Sequence, residues 1–299
     1  MGTLIEATAT ATAHRRPFSP GSLKLADAAA RSCLERAERT ADELDLLVNA
    51  GVYHDELMSE PALASLIQED IGANPDRPSR QGHGTFSFDV ANGACGFVTA
   101  LYVVDGMLAS GMITLAMVVA SDMDPQPGVS EGFAFPALGG AMLLSAEPSR
   151  AGFTAFKFAT FPEYAELFQS RVDWHRDARR GLTHHGRQIL RVEIADAYTA
   201  RALECAESTV REFAGEQALD LAAIDLLVAT GSVPGFADAL AARLGVPAAR
   251  VASPANGQSA AHTAAPAFAL ESRQITDAGT TLFVSSGAGI TVAAAIYKA

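Results

Sequence analysis

Apolar side chains recur along this chain in two periods. Short unbroken runs alternate with longer stretches in which apolar residues return every three or four positions, a pattern that predicts strands alternating with amphipathic helices. Glu43–Gly51 (ELDLLVNAG), Thr114–Ser121 (TLAMVVAS), Leu138–Ser145, Ala222–Thr230 and Thr280–Ser286 read as buried strands. Thr3–Thr10 reads as a short strand, Phe153–Ala159 as an edge strand and Ile290–Tyr297 as a final strand. Helices are expected over Leu23–Arg39, Glu60–Ile71, Phe97–Ser110, Val192–Ala214 and Pro234–Leu244, with Gly111 and Gly245 as stop signals. Apolar strands joined by helices call for mostly parallel sheets covered by helices, an α/β fold.

The pattern repeats once. ELDLLVNAG (Glu43–Gly51) is echoed by AIDLLVATG (Ala223–Gly231), and TLAMVVAS by TLFVSSG (Thr281–Gly287). Between the members of each pair lies a Gly-containing turn that opens a helix. In the first it carries Cys95, and in the second Asn256, Gly257 and Gln258, with the helix expected to run from Pro254–Ser259 to about Ser272. Two similar units are therefore expected, residues 1–150 and 151–299, whose helix-opening turns converge where the units meet. Ligand sites are common in such interfaces.

Composition narrows the field. A 299-residue chain with 49% hydrophobic and 19% charged residues has enough apolar surface for a large core. A net charge of −12 argues against non-specific binding to nucleic acid or anionic membranes. No run reaches transmembrane length, and the TATATAH stretch near the start lacks the apolar core of a signal peptide. The three cysteines, Cys33, Cys95 and Cys205, have no metal-type spacing and suit a reducing cytoplasm. No metal is expected.

Cys95 is the first candidate for chemistry. Phe88–Ser121 reads as strand, tight turn (Asn92–Gly96), helix and second strand, which puts the thiol where a helix begins. The helix dipole and free backbone N–H groups there favour a thiolate and any oxyanion formed beside it. The competing reading is a buried packing residue, the commoner fate of a lone cysteine. Ser170–Arg191 is the one locally basic stretch, with Arg171, Arg176, Arg179, Arg180, Arg187 and Arg191. It reads either as a solvated loop or as a contact for phosphate or an acidic carrier protein.

Four segments resemble the thiolase superfamily, and within it the ketoacyl-acyl-carrier-protein synthase III branch. FDVANGACGFVTAL resembles that family's strand, Cys turn and helix; SGMITLAMVVASD its next strand; ANGQSAAHTAAPAFAL its Gly-Asn-Thr-Ser-Ala-Ala helix start; and SSGAGITVAAAIYKA its C-terminal Gly-rich hairpin. The resemblance covers most of the chain from Leu23 onward. It implies two pseudo-symmetric β/α halves layered α-β-α-β-α. It also implies acyl transfer or condensation on thioesters of coenzyme A or an acyl carrier protein, in fatty-acid-like or secondary-metabolite and polyketide biosynthesis. Coenzyme A or phosphopantetheine would come as part of the substrate, with no tightly bound cofactor. The family's pairing across a sheet-to-sheet interface implies a dimer, formed here through Phe86–Asn92.

The catalytic set departs from the family's. Aligned without a gap, the family's Cys falls on Ala94, and Cys95 comes one residue later, roughly 100° around a helix. The family's His falls on Thr230 and its Asn on Gly257, between Asn256 and Gln258. PALGG (Pro136–Gly140) replaces its Gly-Asp-Gly. On one reading Cys95 forms an acyl-enzyme, N–H groups around Cys95 and Gly287 bind the oxyanion, and either Asn256 or Gln258, with His262 as a further candidate, orients the incoming thioester. Arg191 then lies where the family has a basic residue near its carrier-docking surface. On the other, the chain is a non-catalytic subunit that completes a heterodimer with an active ketosynthase-like partner.

Overall fold

The computed structural model describes residues 2–13, 21–74, 84–148, 151–175, 187–252, 261–271, 273, 275 and 279–299. The first elements are β1 (Gly2–Thr12), α1 (Ser22–Arg36), β2 (Leu46–Asn49), α2 (Leu63–Ile71), β3 (Phe86–Asp89) and α3 (Gly96–Ala109). There follow β4 (Leu115–Asp122), β5 (Leu138–Glu147), β6 (Gly152–Thr160), β7 (Phe168–His175), β8 (Arg187–Ile194) and α4 (Tyr198–Glu216). The chain closes with β9 (Leu226–Gly231), α5 (Phe236–Leu244), β10 (Val251–Ala252), α6 (Ala265–Glu271), β11 (Thr280–Gly287) and β12 (Thr291–Lys298).

Two five-stranded sheets result, in the orders β1-β5-β4-β2-β3 and β10-β9-β11-β12-β6. The segments that echo each other in sequence occupy equivalent places. β2 lies parallel to β4 with Leu46 opposite Ala116, and β9 lies parallel to β11 with Leu226 opposite Thr281. Each parallel core is extended by an antiparallel strand, β5 on β4 and β12 on β11. Every residue of β2, β4 and β9 is buried, as expected of strands covered on both faces.

Three apolar clusters define five layers. One fills the space between the sheets and holds Phe97, Leu101 and Val104 of α3 with Phe268 and Leu270 of α6. A second lies between the first sheet and α1 and α2, through Ala26, Ala30, Leu34, Leu63 and Ile67. The third lies between the second sheet and α4 and α5, through Ala206, Phe213 and Leu240. The layering is α-β-α-β-α. α3 carries apolar residues on most sides because both sheets cover it. Removing a fully buried ring such as Phe97 would cost about 3–5 kcal/mol.

Two glycines of β5 set the layer spacing. A Cβ on Gly139 would lie 2.5 Å from the Leu25 carbonyl oxygen of α1, and one on Gly140 would lie 2.7 Å from the Ala267 Cβ of α6. Neighbouring residues of a strand face opposite sides, so each helix rests directly on the backbone of β5.

The structure corrects two expectations. The basic stretch is no loop where it is described: Phe168–His175 and Arg187–Ile194 form an antiparallel hairpin, and α4 begins only at Tyr198. Alternation explains the strand, since Leu190 and Val192 are buried while Arg191 between them is only partly so. The helix expected from the second turn begins at Ala265, after a single 3-10 turn over His262–Ala264. Pro266 accounts for the late start, because proline is tolerated in a first turn and breaks a helix interior.

Candidate functional site

β3 leads into the turn that carries Cys95. Gly93 has φ +48°, a conformation that glycine adopts without cost. The Asn92 amide donates to Thr99 Oγ1 at 3.0 Å, and Thr99 Oγ1 donates to the Cys95 carbonyl at 2.9 Å. A 3-10 turn over Gly93–Cys95 then passes into α3. It packs against β11 and against the His262–Ala264 turn, so elements from both sheets meet here.

Cys95 is fully buried. Its single S–H is shared between two carbonyls of the β11–β12 hairpin, Ser285 at 3.4 Å and Thr291 at 3.3 Å. Burial pushes the thiol pKa up to about 12. The thiolate expected at this helix start is therefore absent at neutral pH, because desolvation outweighs the helix terminus. The Cys95 N–H is also committed, bonding the Asn92 carbonyl at 3.0 Å, and is not free to hold an oxyanion. Gly287 lies against this turn: a Cβ there would be 3.4 Å from the Ala94 nitrogen and 3.6 Å from Cys95 Sγ. Ala94, at the family's Cys position, is buried beside it.

His262 comes into the same region, paired with Asp122, a residue the sequence reading had not singled out. Asp122 ends β4 and is 2% exposed, as is His262. Its Oδ2 accepts from His262 Nδ1 at 2.9 Å and from the Thr263 N–H at 3.1 Å, and the Thr263 hydroxyl donates to it as well. Its Oδ1 accepts the Val52 and Tyr53 N–H groups at 2.9 and 2.8 Å. Burial alone would raise the Asp122 pKa, but the His262 imidazole and these hydrogen bonds together hold it well below the usual carboxylate range. With the carboxylate on Nδ1–H, Nε2 is left as the acceptor nitrogen of the ring. Phe135 stacks on the imidazole at 4.3 Å between centroids, and Tyr53 tilts over it at 5.3 Å. The only local sign of this arrangement is an acidic residue closing an apolar strand.

Thr230, at the family's His position, shares a 2.7 Å hydrogen bond with Ser285 across β9 and β11. Ser232, Ser286 and Tyr198 add further buried hydroxyls nearby. Thr230 has no group able to take a proton at neutral pH.

The remaining candidates lie apart or outside. Asn256, Gly257 and Gln258 fall outside the described residues, as does the side chain of Arg187. Arg191 is occupied, 2.8 Å from Glu131 and 3.7 Å from Asp173. Arg171 pairs with Asp173 and Glu193. Neither offers the unpaired positive charge that a docking patch requires. Among the described residues no cluster of His, Cys, Asp or Glu could hold a metal, and no helix is long and apolar enough to cross a membrane.

No protein-family model matches the chain. It is 30% identical over 193 residues to a β-ketoacyl-[acyl-carrier-protein] synthase III of Rubrobacter xylanophilus, covering 62% of this chain and 57% of that one. It is 37% identical over 98 residues to the enzyme of the same name from Novosphingobium aromaticivorans, covering 33% and 27%. The chain thus spans less than two thirds of the length of either curated relative. Among solved structures it matches a 3-oxoacyl-(acyl-carrier-protein) synthase III at TM-score 0.79 and 16% identity, over 100% of both chains. It matches Xanthomonas campestris OleA, solved with lauric acid and lauroyl-CoA, at 0.78 and 16%, over 100% and 99%. The layered fold and paired sheets are thus those of these solved synthase III and OleA structures, and the curated relatives that the chain resembles in sequence are β-ketoacyl-[acyl-carrier-protein] synthases III.

Proposed function

We propose that this protein handles acyl thioesters of coenzyme A or an acyl carrier protein, as condensing and acyl-transferring proteins of the ketoacyl synthase III type do. The observation that carries this reading is the meeting of the Gly93–Cys95 turn, the His262–Ala264 turn and Gly287 between the two sheets. Coenzyme A or phosphopantetheine enters as part of the substrate. Fatty-acid-like or polyketide biosynthesis is the setting that suits such a site.

Two routes follow. In one, the acyl group passes from its thioester to Cys95, and the thiol must first leave the Ser285 and Thr291 carbonyls and become ionised. In the other, the chain binds the thioester or completes a partner's pocket without forming an acyl-enzyme, as a non-catalytic ketosynthase-like subunit. The buried thiol with its pKa near 12 favours the second, as does the absence of a base at Thr230. Recognition of an acyl thioester without an acyl-Cys95 intermediate is the function that this geometry supports best.

Intact-protein mass spectrometry tests it. The protein is incubated with a panel of acyl-CoA and acyl-carrier-protein thioesters, alongside Cys95→Ala. The expected result is thioester binding, read by titration, with no added mass. An acyl adduct present in the native chain and lost in Cys95→Ala would restore the covalent route.

A further inference from the structure

The upper ends of β9 and β11 carry an unusual density of hydroxyl groups. Register places Thr230 opposite Ser285 and Gly231 opposite Ser286, so Ser232 follows directly beside Ser286. Tyr198, the first residue of α4, reaches the same place: the Ser232 and Ser286 hydroxyls both approach its phenol without closing a well-formed hydrogen bond. Thr230 and Ser285 satisfy each other at 2.7 Å. The other three do not. Tyr198 Oη, Ser232 Oγ and Ser286 Oγ are buried without a hydrogen-bond partner among the described residues, in side chains only 1%, 4% and 1% exposed. Leaving a buried hydroxyl unbonded costs about 1–3 kcal/mol each, so three together are not a neutral feature of a core.

Their chemistry and position suggest what they meet. All are neutral groups that both donate and accept. Two ionisable neighbours that act on Tyr198 among the described residues are Cys95 and Cys205, both thiols that burial keeps protonated. Such a cluster suits an uncharged oxygen and gives nothing to balance a carboxylate or phosphate. It also adjoins the turn described above: Ser285 accepts the Cys95 thiol through its carbonyl, and Gly287, next to Ser286, lies against Ala94 and Cys95.

We propose that Tyr198, Ser232 and Ser286, backed by the Thr230–Ser285 pair, form a subsite for a keto or hydroxyl oxygen on the acyl chain close to its thioester carbon. This rests on the reading of the protein as one that handles acyl thioesters, and it names the class: 3-oxygenated acyl thioesters over saturated ones. Where the family places a base, this chain places hydroxyls that hold an oxygen already installed.

Isothermal titration calorimetry on the full chain tests the subsite with three four-carbon probes, butyryl-CoA, 3-hydroxybutyryl-CoA and acetoacetyl-CoA. The oxygenated thioesters are expected to bind at least about fivefold tighter than butyryl-CoA, the scale of one neutral hydrogen bond. Ser286→Ala and Tyr198→Phe, each checked for folding by circular dichroism, are expected to bring that ratio below about twofold. Equal affinity for all three probes overturns the subsite while leaving the acyl-thioester reading in place. So does a preference that survives in both variants, with water alone then meeting these hydroxyls. Binding of none of the three overturns the acyl-thioester reading and the subsite with it.

Discussion

Asp122 Oδ2 and His262 Nδ1 lie 2.9 Å apart, joining the last residue of β4 to the turn that precedes α6, 140 positions further along the chain. The same carboxylate takes four further hydrogen bonds, from Val52, Tyr53 and the backbone and hydroxyl of Thr263. Asp122→Asn would oppose an amide N–H to donors that now face an oxygen, and the expected loss is about 1–3 kcal/mol for each buried donor left unpaired. The pH dependence has a definite sign. The folded-state pKa of Asp122 is depressed, so its contribution is complete above the unfolded value of about 4 and declines as pH falls toward the folded value. Urea denaturation at pH 7 and at pH 3 checks this: the gap between the native chain and Asp122→Asn should narrow at the lower pH.

Thiol titration probes the burial of Cys95 directly. All three cysteines are free and buried, and the thiol pKa values of Cys33 and Cys95 are pushed up to about 12 and that of Cys205 to about 11. Ellman's reagent at pH 8 should therefore find almost no reactive thiol in the folded protein within minutes, and all three in guanidinium. A rapid reaction lost in Cys95→Ala would place that thiol at the surface and reopen the covalent route.

Asp27 should make the contact between α1 and α2 sensitive to pH in the opposite sense. Burial, and then the neighbouring Asp70 carboxyl, raise its pKa to about 6, against the pull of Lys24. A raised folded-state pKa means that stabilisation is complete below the unfolded value of about 4 and is lost as pH rises through about 6. Asp27→Asn is expected to stabilise the protein at pH 8 by about 1 kcal/mol, discounted for the exposed Lys24 and Asp70, and to leave it nearly unchanged at pH 4. Thermal melts at the two values provide the comparison.

β3 predicts association. It is the outermost strand of its sheet, and Phe86 stands 61% exposed with its ring 5.4 Å from that of Phe88. An apolar strand edge of this kind invites pairing with another chain. Sedimentation velocity at micromolar concentration should show a dimer, and Phe86→Lys should shift it toward monomer. A native chain that sediments as a monomer would rule this edge out as the interface.

Much of the architecture was legible in the sequence, because strands buried on both faces leave unbroken apolar runs. The echo of ELDLLVNAG in AIDLLVATG survives as two strands with the same neighbours. The hairpin of β7 and β8 was hidden by its arginines: the alternation that buries Leu190 and Val192 was present, but charge density suggested a loop. The site was less legible for two physical reasons. Which way the buried side chains of Ala94 and Cys95 point depends on a single 3-10 turn, where one residue of shift turns a side chain by roughly 120°. The partnership of Asp122 with His262 is wholly long-range, so no local spacing encodes it.

The paired glycines of β5 bear on how the molecule responds to a ligand. With α1 resting on Gly139 and α6 on Gly140, that strand is at these two positions a partition with no side-chain padding on the face each helix touches. Close-packed interiors transmit strain rather than absorb it. α6 begins immediately after the turn that holds His262 against Asp122. A ligand that pushes this turn aside therefore has nowhere to store the displacement locally. It must lift α6 from the partition or carry the partition with it, and in the second case the far face, where Leu25 sits, moves too. Occupancy of the interior would then be readable on the outer surface, for instance as altered hydrogen exchange along α1.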